Sequence, residues 1–236
     1  MALDVTLRAD PERLRAEYLA AQPFAHVVLD GLFADSTLER VLSEFPRPDE
    51  IEWVRFDSPT ERKLGFRHTA TLGTNLREFL WSMNSPPVLQ FLEALTGIDG
   101  LIPDPYFGGA GPHQILPGGF LEVHADFNWH PKLRLDRRLN LIVYLNREWR
   151  EEYGGHIELW DREATRCVRR VLPVFNRTIV FSTTDQSFHG HPAPLACPPE
   201  MTRKSLSFYY YSNGRPAEER SAPHDTLFRS TPPAES

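Results

Sequence analysis

His124-Ala125-Asp126 sets an imidazole and a carboxylate two residues apart, at the end of the run Gly119-Phe120-Leu121-Glu122-Val123. Residues two apart on a strand leave the same face, so both groups can address one point. A second run, Thr178-Ile179-Val180-Phe181-Ser182, leads through Ser187-Phe188 into His189. An imidazole from that distant stretch completes a facial set of two histidines and one carboxylate. Such a set holds one side of an octahedral ferrous ion and leaves three positions for a chelating co-substrate and O2. His191 competes with His189 for the third place. An H-x-D tripeptide is common by chance; its position at a strand end, with the second histidine run, gives it weight.

The elements that must carry these groups follow from punctuation and periodicity. Short apolar or alternating runs divided by Gly and Pro begin near residue 101 and predict strands near 113–124, 139–146, 156–160, 165–172, 177–182 and 203–212. Arg203, Ser205, Ser207 and Tyr209 share one face of the last. Asn140, Ile142 and Tyr144 share a face of the second. Helix signals fill the first hundred residues. Asp10-Pro11 is an N-cap followed by proline at the first helical position, and Pro23 stops that run. Phe24–Asp30 reads as a strand. Ser36-Thr37-Leu38-Glu39 reads as a capping box before Leu38, Val41, Leu42 and Phe45, with Pro46 as the stop. Further helices start near Asn75 and after Ser85-Pro86, the latter ending at Gly97. Residues 47–73 are charged and broken, predicting a mobile loop or lid. Residues 213–236 are polar and proline-rich, predicting a loosely held tail.

These elements fit one domain over 1–236: helical support and first strands in 1–100, a β core in 101–212, and the tail. The fold class is mainly β with supporting helices (α+β), the N-terminal helices packed on one face of the core. The chain has 236 residues, enough to bury a substantial core. Its 26 Lys+Arg against 32 Asp+Glu give a formal charge of −6, which argues against grip on nucleic acid through overall charge. No apolar stretch approaches the roughly 20 residues a bilayer crossing needs, and the start shows no signal-peptide pattern. Two cysteines, Cys167 and Cys197, make no disulfide framework, so the expected location is the reducing cytoplasm. The Gly-Gly pairs lack phosphate-loop context and read as turns. Arg137-Arg138 and Arg169-Arg170 read as solvated strand ends. Among His113, Gln114, Asn128 and Trp129, packing competes with lining a pocket.

The ordered motifs resemble the Fe(II)/2-oxoglutarate-dependent oxygenases, in their prolyl 4-hydroxylase-like branch. The resemblance is carried by His124-Ala125-Asp126, by 139–146 (LNLIVYLN), by 152–160 (EYGGHIELW), by 187–192 (SFHGHP) and by Arg203-Lys204-Ser205. It implies a double-stranded β-helix, or jelly-roll, core. It implies His124, Asp126 and His189 as iron ligands, with His189 favoured over His191. It implies Arg203 as the anchor of the distal 2-oxoglutarate carboxylate, with Ser205 and Tyr144 assisting. A guanidinium grips a carboxylate in two-pronged fashion. The implied activity is a dioxygenase that hydroxylates an unactivated C–H bond and releases succinate and CO2. Fe(II), 2-oxoglutarate and O2 are the implied cofactors and co-substrates, with ascorbate a candidate accessory reductant. The intact Asp126 points to oxidation rather than halogenation, for which relatives carry a small residue there. The substrate class stays open among small molecules, free amino acids and peptidyl residues. Two other readings compete: a non-catalytic jelly-roll sensor or binding module, and a cupin-type metal enzyme that does not use 2-oxoglutarate. The second leaves Arg203 and Ser205 without a role.

Overall fold

A computed structural model describes residues 3–229. In chain order the elements are α1 (Pro11–Ala20), β1 (His26–Asp30), α2 (Asp35–Ser43), β2 (Val54–Asp57), β3 (Glu61–Gly65), α3 (Thr74–Ser82), α4 (Pro86–Thr96) and β4 (Ile102–Pro103). Then come β5 (Gly111–Ile115), β6 (Phe120–Ala125), β7 (Trp129–His130), β8 (Leu135–Tyr144), β9 (Ile157–Trp160), β10 (Cys167–Val171), β11 (Arg177–Ser182), β12 (His189–His191), β13 (Arg203–Ser212) and β14 (Leu227–Phe228). No helix among the described residues is long and apolar enough to cross a membrane.

The strands form one antiparallel sheet in the order β1-β11-β8-β13-β5-β3-β6-β12-β9-β10, which curls into a barrel-like double-stranded β-helix. Alternation along the two ten-residue strands decides what each side does. Leu139, Leu141 and Val143 of β8 and Leu206, Phe208 and Tyr210 of β13 pack in the core shared with helical Leu38, Leu76, Phe79 and Leu92. Each such side chain contributes about 1.5–3 kcal/mol by leaving water. The residues between them face the barrel interior. There Ser205 lies opposite both Tyr144 and His113, Arg203 opposite Ile115, and Tyr209 opposite Asn140.

The helices begin and end largely where their sequence signals stand. The Asp10 carboxylate accepts from the amides of Glu12 and Arg13, and Gly97 closes α4 at φ +74°. The Ser36–Glu39 box does not form: α2 starts at Asp35, after Ala34. A tertiary contact overrides the local signal. The Asn176 side chain holds the Phe33 carbonyl and the Asp35 carboxylate, while the Thr37 hydroxyl donates to the Asp4 carbonyl. At α3 the cap comes from outside the helix. The Glu44 carboxylate, just past α2, accepts from the amides of Asn75 and Leu76 at 2.7 and 3.1 Å.

Three other expectations change. The predicted strand 113–124 is two strands, β5 and β6, divided by a turn at Pro117-Gly118, with Gly118 at φ +76°. Residues 47–73 contain the hairpin β2–β3, whose second strand pairs with both β5 and β6. The supposed tail returns to the sheet: Leu227 and Phe228 pair with Ala125 and His124, and Arg215 is buried. Residues 230–236 of that expected tail lie outside the described residues. Cys167 and Cys197 are unpaired.

Candidate active site

His124 sits at the end of β6, and His189 opens β12 directly across from it. Close approach of these strands depends on Gly190. A Cβ there would lie 2.8–2.9 Å from the carbonyl oxygens of Glu122 and Leu121. Asp126 follows β6 and turns back to the same point. One ligand atom from each of His124, Asp126 and His189 lies within 4.8 Å of the others. Among the described residues, His191 is not part of that cluster.

The tautomers are fixed from behind. His124 Nδ1 lies 2.8 Å from the Glu122 carbonyl, and His189 Nδ1 lies 2.9 Å from the Ser187 carbonyl. A carbonyl accepts only, so each Nδ1 carries the proton and each Nε2 presents a lone pair. Those lone pairs approach the Asp126 oxygens at 3.7 and 3.5 Å. Burial pushes the His124 imidazole down to about 3, and it also lowers His189. Burial alone would raise the Asp126 carboxyl. Arg137, His189, His124 and the Asn140 hydrogen bond outweigh it and hold the group well below the usual carboxylate range. Two neutral lone pairs facing an ionised carboxylate repel unless a cation sits between them. The donor set therefore fits a divalent metal, and two imidazoles with one carboxylate suit Fe(II) with open positions.

A supporting shell orients the carboxylate. The Asn140 amide donates to Asp126 Oδ2 at 2.7 Å, and a guanidinium nitrogen of Arg137 lies 3.2 Å from the same oxygen. Arg137 also donates twice to Asn140 Oδ1, and it lies between the rings of Phe127 and Tyr209. It is 1% exposed and Arg138 is 8% exposed, so the expectation of a solvated strand end fails at both positions. At Arg137 the reason is tertiary: the carboxylate and two aromatic faces replace its hydration. Arg169 and Arg170 are exposed, as expected.

Arg203 lies deeper in the same interior. It is 5% exposed, and its Nε donates to the Gly155 carbonyl at 2.7 Å. Its terminal nitrogen donates to Tyr144 Oη at 3.3 Å. Gly155, at φ +70°, leaves the room this needs; a Cβ would stand 2.9 Å from the Arg203 side chain. Among the described residues no carboxylate pairs with this buried guanidinium. A buried cation without a counter-ion is costly, so the position fits an anionic ligand. Ser205 and Tyr144 line the same cavity, of about 80 Å³.

A second cavity of about 220 Å³ adjoins it and reaches His124 and Asp126. The two share Lys63, His113 and Tyr209 as lining residues. The hairpin β2–β3 contributes Phe56, Glu61 and Lys63 to the outer cavity, and the C-terminal segment contributes Thr226 and Phe228. Of the four residues flanking the H-x-D strand, His113 lines both cavities. Gln114 instead donates to the Pro46 carbonyl, and Asn128 clasps Ser221, Ala222 and His224 of the C-terminal segment. Sequence reasoning missed Arg137, Asn140, Lys63 and Phe228. Only Asn140 left a signal, through its shared strand face with Tyr144. A larger concavity of about 620 Å³ lies between Leu3–Leu7 and α4, where Asp4 is the one ionisable lining residue. It is remote from this chemistry.

Comparison with known proteins agrees with the geometry. Residues 110–211 match the family model described as the 2OG-Fe(II) oxygenase superfamily. A Pseudomonas putida prolyl-4-hydroxylase superposes with TM-score 0.60 at 16% identity, over 87% of this chain and all of that one. HygX from Streptomyces hygroscopicus, solved with nickel, 2-oxoglutarate and hygromycin B, gives TM-score 0.58 at 12% identity, over 91% and 96% of the two chains. Mouse prolyl 3-hydroxylase OGFOD1 is 29% identical over 79 residues, which span 32% of this chain and 14% of that protein. The matched segment holds all three candidate ligands, Tyr144 and Arg203, so the part of the chain that carries the site is similar to the 2OG-Fe(II) oxygenase superfamily.

Proposed function

We propose that this protein is an Fe(II)- and 2-oxoglutarate-dependent dioxygenase that hydroxylates an unactivated C–H bond of a small molecule, free amino acid or peptidyl residue. The observation that carries the reading is one barrel interior with two stations. At one, two imidazole lone pairs face a carboxylate; at the other, a buried guanidinium has no counter-ion among the described residues. His124, Asp126 and His189 are the residues that hold the iron. Arg203 takes the distal carboxylate of the keto acid, with the Tyr144 and Ser205 hydroxyls beside it.

Bound iron, 2-oxoglutarate and O2 together supply an oxidant: one oxygen atom goes to succinate as CO2 leaves, and the other is inserted into the substrate C–H bond. The chain itself contributes placement. Backbone carbonyls hold both Nε2 lone pairs inward, so neither imidazole must lose a proton before it binds metal. Asn140 and Arg137 fix the Asp126 carboxylate. Phe181, 4.7 Å from the His189 ring, and Phe228, 5.5 Å from the His124 ring, exclude water from the ligands.

The substrate occupies the outer cavity, whose wall combines Phe56, Phe127, Tyr209 and Phe228 with Glu61 and Lys63. Its volume suits one side chain or a small molecule. The structural neighbours include both a prolyl hydroxylase and a protein holding hygromycin B, so the fold is compatible with either class. Unpaired cysteines suit a reducing cytoplasm. The test is anaerobic addition of Fe(II) and then 2-oxoglutarate, read as a weak visible absorption band, followed by succinate release in air. A protein that binds neither, or that releases as much succinate when His124 is alanine, refutes the proposal. A cupin-type reading fails to explain the buried Arg203.

A further inference from the structure

His191 is the unexplained polar side chain of this interior. It lies two residues beyond His189 on β12, so it leaves the same strand face one step further along. It is 4% exposed, yet neither Nδ1 nor Nε2 has a hydrogen-bond partner among the described residues. The ring lines the inner cavity with Arg203, Tyr144 and Ser205, and the Arg203 charge acts on it directly. His113, across β13 from Ser205, presents an unpartnered Nδ1 nearby. A neutral imidazole always carries one N–H and one lone pair. Burying both without partners costs stability, unless a bound molecule takes up the hydrogen bond.

We propose that His191 is a co-substrate-binding residue: its ring N–H donates to the distal carboxylate held by Arg203, and its bulk limits the keto acid to five carbons. This rests on the 2-oxoglutarate reading above. Arg203 supplies the charge and Tyr144 a hydroxyl, and neither sets how long a chain fits. His191 and Gly190 line the same cavity, and on this proposal they set that limit. A ring that only packed would not leave both nitrogens buried and unpartnered in a residue that lines a cavity with a guanidinium.

The experiment titrates anaerobic, Fe(II)-loaded protein calorimetrically with 2-oxoglutarate and with 2-oxoadipate, which is one methylene longer. The wild type should favour 2-oxoglutarate by roughly tenfold or more. His191→Ala should weaken 2-oxoglutarate roughly tenfold and bring the two affinities together. His191→Gln, which keeps an N–H donor, should recover most of the 2-oxoglutarate affinity. Should the alanine variant not fold, ring-nitrogen NMR of the Zn(II)-substituted wild type gives the same answer: the His191 N–H signal should shift and become protected when 2-oxoglutarate is added. Unchanged affinity and selectivity in the variants, or an unmoved His191 signal, overturns the proposal and leaves the enzyme assignment standing. A wild type that binds no 2-oxoglutarate overturns the assignment itself.

Discussion

Arg203, Tyr144 and Ser205 stand on two ten-residue strands that pair with each other at the centre of the sheet. Phe56, Lys63 and Phe228, which wall the outer cavity, stand on strands of only four, five and two residues, the first and last of them off the main strand order. The inner region is held by a continuous ladder and by a core packed against its far side. The outer region is held by a hairpin whose second strand meets β5 and β6 over two residues each, and by a returning segment that pairs over two residues. A long paired strand fixes side-chain direction to within its pleat. A short marginal strand can change its residues without disturbing the ladder. Under the proposed function, the division assigns the common chemistry to the inner region and the choice of substrate to the outer one.

Variants along this axis should separate in what they lose. The largest effect belongs between the two regions: His124→Ala should abolish succinate production and Fe(II) binding in a metal-content assay. Arg203→Ala should leave Fe(II) bound and raise the 2-oxoglutarate dissociation constant by about 100-fold or more. Arg203→Lys should recover only part of that, because an ammonium cannot reproduce the two-pronged grip. Asn140→Ala should cost about 10- to 100-fold in metal affinity, because the carboxylate loses its brace. Phe228→Ala should raise the substrate KM roughly tenfold while 2-oxoglutarate affinity stays within about twofold. If Phe228→Ala instead weakened the keto acid as much as Arg203→Ala, the two regions would not be separable. The smallest effect is remote from both: Glu44→Gln should cost about 1 kcal/mol and about 2–4 °C in Tm, with both ligand affinities unchanged.

The same division decided what the sequence disclosed. Strand parity grouped Arg203, Ser205 and Tyr209 on one face, and Asn140 and Tyr144 on another, because β8 and β13 are long enough for period two to be unmistakable. His124 and Asp126 stood out because their spacing matches that period. The hairpin β2–β3 was hidden by Arg55, Asp57, Arg62 and Lys63, which give it the look of a solvated loop. Its burial is made by β5 and β6, more than forty residues on in the chain. Arg137 was hidden for a related reason: an arginine's burial depends on the carboxylate and rings that meet it, and none of those is its neighbour in sequence except by folding. The Ser36–Glu39 box was a sound local signal overruled by Asn176. The resemblance to a family set His191 behind His189 as a candidate ligand; the unsatisfied ring of His191 emerged only with the cavity around it.

The carboxylate at the end of α2 that closes the first turn of α3 has a kinetic corollary. The N2 and N3 amides of α3 are satisfied only while residue 44 is in place, so neither helix can fray alone. In native-state deuterium labelling the amides of Asn75 and Leu76 should open together with the last turn of α2, as one foldon. Two helices separated by a hairpin thus share a single opening event, and the helical buttress yields as a block.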